Sequence, residues 1–127
     1  MTSDHNKNNM KILVVDDDKM MLKAISHQLE TDGYEVAVAE NGYDALNIID
    51  KSKIDLIISD IMMPKMSGLG LLNLLKQFYF NKIPVIIISS LDKASMVLNS
   101  IGMGAADFLC KPLNFKELSL AVKKYVK

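Results

Sequence analysis

Asp55-Leu-Ile-Ile-Ser-Asp60-Ile-Met-Met-Pro64-Lys-Met-Ser67-Gly68 is the stretch from which the fold can be read. Its apolar run, Leu56 to Ile58, is too short for a helix and rich in Ile, the pattern of a strand buried on both faces. The run leads to one carboxylate, Asp60. A proline and a Ser-Gly pair then turn the chain into a second apolar run, Leu69, Leu71, Leu72, Leu74 and Leu75. Open α/β sheets place their ligands at the carboxyl ends of the strands. Asp60 stands at such an end and is the residue to explain.

Upstream, Lys11-Ile-Leu-Val-Val15 reads as a strand that ends in Asp16-Asp17-Asp18. From Lys19 to Asp32, Met21, Leu22, Ile25 and Leu29 recur at helical spacing. Gly33 follows as a C′ residue, where a left-handed conformation suits glycine. Val36 and Val38 belong to a more alternating strand, nearer an edge. Asn41 caps a helix that carries Ala45, Leu46 and Ile49 on one face.

Downstream, a helix runs from about Ser67 to Tyr79, and Pro84 opens a strand, Val85 to Ile88, that ends at Ser89-Ser90. Asp92 caps a fourth helix through about Ile101, ended by Gly102-Met-Gly104. Asp107-Phe-Leu-Cys110 is the fifth strand, followed by Lys111-Pro112. Asn114 and Glu117 are spaced like a capping box before a last helix carrying Phe115, Leu118, Ala121, Val122 and Tyr125. Five strands alternating with five helices imply βαβ units, right-handed crossovers and a doubly wound parallel sheet.

The 127 residues fit one compact domain, residues 10–127, behind a polar leader, residues 1–9, that reads as disordered. The leader lacks the apolar segment of a secretory signal. No run approaches the ~20 apolar residues of a membrane span. Formal charge is zero and all 15 basic residues are lysines. A nucleic-acid binder carries a basic excess, with arginine for base edges, so direct binding by this domain is not expected. The single cysteine, Cys110, rules out an internal disulfide and fits a reducing, cytoplasmic setting.

The strand ends deliver Asp16 and Asp17, Asp60, Ser89 and Lys111 to one edge of the sheet. Carboxylates crowded together repel unless a cation joins them. Hard oxygens without His or Cys nearby suit Mg²⁺, with Mn²⁺ as a substitute. A lysine and a hydroxyl complete a site for a phosphoryl group. One carboxylate could itself be the nucleophile.

Val14-Val15-Asp16-Asp17-Asp18, Asp60-Ile-Met-Met-Pro64 with Ser67-Gly68, Ser89-Ser90 and Lys111-Pro112 together resemble the receiver domain of two-component response regulators. The resemblance covers about residues 10 to 127. It implies a five-stranded sheet of order 2-1-3-4-5, the flavodoxin- and CheY-like three-layer (βα)5 fold. It implies that Asp60 accepts a phosphoryl group from a histidine kinase or histidine phosphotransfer protein. Asp17 and Asp60 would ligate Mg²⁺ by their side chains, Met62 by its backbone carbonyl, and Asp16 through a bound water. Lys111 would pair with Asp60 and then with the phosphoryl oxygens, ahead of a cis bond to Pro112. Ser89 would hydrogen-bond the phosphoryl group, and Phe108 would act as the aromatic switch.

The resemblance also implies a protein without turnover beyond slow loss of its phosphoryl group. Output would pass through the fourth helix, fifth strand and fifth helix, near Asp92, Lys93, Lys116, Lys123 and Lys124. That surface would reach a downstream protein, an output domain or a second copy in a homodimer formed on phosphorylation. Kinase contacts would come from Met20, Met21 and Ala24 and from the loop after the fifth strand.

Phe108 stands where tyrosine is more frequent and has no hydroxyl to bond when buried. Met62 and Leu91, which flank the phosphoryl group beside Ser90, are apolar and cannot orient a hydrolytic water. A long-lived aspartyl phosphate is expected. Two alternatives compete: an aspartyl phosphatase of the haloacid-dehalogenase type, and a receiver-like binding module that works without phosphorylation. The first needs Thr or Val where the chain has Met20, and the second does not need the full set of site residues. Asp18 reads as a helix cap and His27 as structural or solvated. Of the nine methionines, Met20, Met21, Met96 and Met103 are expected to fill the core and helix seams, and Met63 and Met66 to be exposed.

Overall fold

A computed structural model describes residues 10–63, 65–78, 83–90 and 101–126. In chain order the elements are β1 (Lys11–Val15), α1 (Lys19–Thr31), β2 (Glu35–Ala39), α2 (Gly42–Lys51), β3 (Leu56–Asp60), α3 (Gly68–Phe78), β4 (Val85–Ser90), β5 (Asp107–Lys111) and α4 (Phe115–Lys123). The leader and nearly all of the helix expected from Asp92 lie outside the described residues. The five strands form one parallel sheet of order β2-β1-β3-β4-β5. This is the order expected from the sequence, with β2 at an edge. β4 runs two residues further than its apolar run, through Ser90.

Successive side chains of a strand point to opposite faces, so each central strand feeds two cores. On one face Ile12, Val14, Ile58, Ile86 and Ile88 pack against Leu22, Ile25 and Leu29 of α1 and Leu118, Ala121 and Val122 of α4. On the other, Leu13, Val15, Ile57, Val85 and Ile87 pack against Ala45 and Ile49 of α2 and Leu71, Leu72 and Leu75 of α3. Full burial of such a side chain contributes about 1.5–3 kcal/mol. Truncation of a central one, Ile58→Ala for example, costs about 2–5 kcal/mol.

The helix ends are fixed by local hydrogen bonds. The Asp18 carboxylate caps α1 by accepting from the N–H groups of Met20 and Met21. At the other end Gly33 has φ 100°; its N–H bonds Glu30 O and the N–H of Tyr34 bonds Leu29 O. That pair of bonds is a Schellman motif, which requires the left-handed glycine. Asn41 caps α2 and Asn114 caps α4, each accepting from a backbone N–H three residues on.

Two expectations about methionines fail. Met20, at 80% exposure, stands out in solvent, because α1 turns Leu22 and Ile25 inward and its first turn lies at the sheet's rim. Met63 and Met66 are half-buried and pack against the core beneath α2 and α3. Met21 and Met103 pack as expected, and Met96 lies outside the described residues.

Candidate functional site

The register of the sheet assembles the site. Val15 pairs with Ser59, so the next residues, Asp16 just past β1 and Asp60 at the end of β3, stand side by side. Ser90 pairs with Lys111 across β4 and β5. One carboxylate oxygen from each of Asp16, Asp17 and Asp60 lies within 4.8 Å of the other two. Lys111 Nζ stands 3.5 Å from Asp60 Oδ1 and 3.9 Å from Asp16 Oδ2. The Lys111–Pro112 peptide is cis.

Backbone groups hold the acids in place. The N–H of Asp18 donates to Asp16 Oδ1 at 3.0 Å. The Met62 N–H helps to hold the Asp60 carboxyl down. Just beyond Asp60, Ile61 N–H bonds Ile88 O, and Gly68 N–H returns to bond Ile61 O. Any Cβ at position 68 would run into the carbonyl oxygen of Asp60. Only glycine lets α3 start this close to the strand end. Ser67 caps α3, its Oγ accepting from Gly70 N–H at 3.1 Å. The Ser-Gly pair was legible as a turn, whereas its contact with Asp60 itself was not.

Burial dominates the electrostatics. Asp16 is 1% and Asp60 7% exposed. Burial pushes the Asp16 carboxyl up to about 6; the Asp18 N–H opposes that, Asp60 adds to it and Lys111 lowers it. The Asp60 carboxyl is also raised, by burial first, against the pull of the Lys111 charge and hydrogen bond. One lysine does not offset three clustered acids. Asp16 Oδ2 is buried with no hydrogen-bond partner. A buried carboxylate oxygen without a hydrogen bond, facing two further acids and, among the described residues, no His or Cys, is part of a donor set that a hard divalent cation would satisfy. The residues fit Mg²⁺.

The remaining predicted residues fall around this cluster. Ser89 is buried, and its Oγ donates to Ser90 O at 3.2 Å. Phe108 stands outward on β5 at 38% exposure, two residues before the Cys110 that pairs with Ser89. Met62 is 45% exposed beside Asp60. Leu91 lies outside the described residues. Cys110 is half-buried with a free thiol, and His27 is exposed on α1.

The model of the response regulator receiver domain matches residues 12–123, nearly the whole chain. The chain belongs to the response regulator receiver family. It is 37% identical over 113 residues to the transcriptional regulatory protein CpxR of Escherichia coli K12, covering 89% of this chain and 47% of that protein. Identity to the alkaline phosphatase synthesis transcriptional regulatory protein PhoP of Bacillus subtilis is 33% over 115 residues, covering 91% of this chain and 48% of that protein. The receiver domain of Francisella response regulator 1452 superposes with a TM-score of 0.85 at 36% identity, covering 93% of this chain and 97% of that one.

This receiver chain thus spans about half the length of the curated relatives it matches. Phosphorylation and Mg²⁺ binding are general properties of the family, and its receiver domains are in general not enzymes. The haloacid-dehalogenase alternative drops out with this membership. No helix among the described residues is long and apolar enough to cross a membrane.

Proposed function

We propose that this receiver accepts a phosphoryl group on Asp60 from the phosphohistidine of a kinase or phosphotransfer protein. The observation that carries the proposal is the cluster itself: three acids within 4.8 Å, with one ammonium 3.5 Å from Asp60. An Asp60 oxygen attacks the phosphorus in line, a P–O bond forms, and the P–N bond to histidine breaks. Lys111 neutralises charge on the phosphoryl oxygens, and Ser89 turns its hydroxyl from Ser90 O to donate to one of them. Asp17 and Asp60, with the Met62 carbonyl and a water on Asp16, would hold Mg²⁺, which supplies further neutralisation of phosphoryl charge when bound.

In the proposed switch, inward movement of Ser89 vacates space into which the outward-facing Phe108 turns. A two-state equilibrium of this kind needs a bias of only a few kcal/mol. The changed surface around β5, α4 and the helix expected from Asp92 would then engage an output domain, a downstream protein or a second copy. Kinase contact through α1 is favoured by the exposed Met20. The domain would act in the cytoplasm, without direct contact with nucleic acid or membrane.

Intact mass after incubation with Mg²⁺ and acetyl phosphate tests the reading. One added phosphoryl group, absent in Asp60→Asn and abolished by EDTA, is the expected result. No adduct on a folded, Mg²⁺-binding chain would leave the phosphorylation-independent binding module in its place.

A further inference from the structure

The loop from Ile61 to Ser67 joins the phosphoacceptor strand to α3. Its inner end is tied by Ile61 and Gly68, and Lys65 turns its tip with φ 67°, unusual for a residue with a Cβ. Beyond that turn the Met66 side chain folds back across two glycines. A methyl group added at Gly42, the first residue of α2, would stand 2.6 Å from Met66 Sδ and 2.8 Å from its Cβ and Cγ. One added at Gly70 would stand 3.2 Å from Met66 Cγ. Gly42 has no positive φ, so its backbone conformation is open to other residues; the space above it is taken up by Met66. The loop is therefore clasped to α2, the neighbouring helix on the same face of the sheet, by one flexible thioether in a slot that only glycine leaves open.

The loop matters to the chemistry because both its ends meet the phosphoacceptor: Gly68, two residues after Met66, lies against the Asp60 carbonyl, and Met62, two residues after Asp60, is the residue whose carbonyl would serve the metal in the reading above. We infer that Met66 is a positioning residue for phosphoryl acceptance: seated between Gly42 and Gly70, it holds the Met62 backbone in register with Asp60. This rests on the phosphoacceptor reading above. It makes the start of α2, outside the cluster of acids, a determinant of the reaction. Displacements of about 1 Å from remote substitutions can slow a reaction by about a hundredfold.

The test is the rate of phosphorylation by acetyl phosphate across a Mg²⁺ titration, followed by intact mass, for the parent, Gly42→Ala, Met66→Ala and the double variant. Gly42→Ala is expected to slow labelling about tenfold or more and to raise the half-saturating Mg²⁺. Met66→Ala is expected to slow it less. In the Met66→Ala background the Sδ and Cγ are gone and only the retained Cβ still faces the added methyl, so Gly42→Ala should cause less further slowing there than in the parent.

A labelled parent whose Gly42→Ala variant reacts equally fast at the same Mg²⁺ overturns the inference alone. So does equal slowing in both backgrounds. Should Gly42→Ala fail to fold, Met66→Ala decides: an unchanged rate and Mg²⁺ dependence overturns the inference. A parent that takes no phosphoryl group overturns the reading on which it rests, and the inference with it.

Discussion

Lys111 Nζ lies 3.5 Å from Asp60 Oδ1, an ion pair formed between the ends of two strands that are not neighbours in the sheet. β4 separates β3 from β5, and the lysine reaches across it. The pair explains why Asp60, buried and beside Asp17, is held below the value its burial alone would give. Lys111→Ala is expected to leave the fold intact and slow phosphorylation by acetyl phosphate about a hundredfold. A variant labelled at the parent's rate would show that the ammonium plays no part.

Asp16 gives the pH dependence its sign. Its folded value, about 6, is above the ordinary 3.8, so between those values the folded chain binds more protons than the unfolded one. Stability of the metal-free protein therefore falls as pH rises through that window. The penalty is complete above about 6 and relieved as pH falls toward 3.8. It amounts to no more than about 3 kcal/mol. Melting in EDTA at steps from about pH 7 to about pH 5 should give a larger gain on acidification for the parent than for Asp16→Asn. Parallel curves would contradict this account of Asp16.

Met62 and Leu91 bear on the lifetime of the modified state. The Met62 side chain, 45% exposed beside Asp60, offers nothing that could orient a water for hydrolysis. The double variant Met62→Asn, Leu91→Glu is expected to lose its phosphoryl group about tenfold faster. The decay of the mass adduct after removal of acetyl phosphate measures this, and equal lifetimes would remove the idea.

Gly68 is a structural requirement of the same loop. Its missing Cβ makes room for the Asp60 carbonyl, so Gly68→Ala forces the loop from the strand end. A loss of about 1–3 kcal/mol is expected, read as a lower melting temperature. An unchanged melting temperature would mean that the loop relaxes freely.

The periods of the sequence carried the architecture because each central strand is a continuous apolar run, a pattern only a doubly covered parallel sheet can bury. Asp60, Asp16 and Lys111 were legible as a site because strand polarity alone sends all three to one edge. Their pairing across β4 followed only from the family resemblance, since register depends on which strands become neighbours. Met20, Met63 and Met66 were misassigned for a related reason. Spacing places Met20 on a helix without saying how far that helix overhangs the sheet, and Met66 looks like a loop residue until Gly42 is brought beneath it. The side-chain slot at Gly42 joins residues 24 positions apart, with no local signal.

The most direct measurement locates the phosphoryl group. After labelling with acetyl phosphate and Mg²⁺, borohydride reduces an acyl phosphate of aspartate to homoserine, and peptide mass mapping then names the position. The account predicts homoserine at position 60 alone, with none when EDTA is present. Homoserine at position 16 or 17, or a phosphoryl group that survives borohydride, would contradict it.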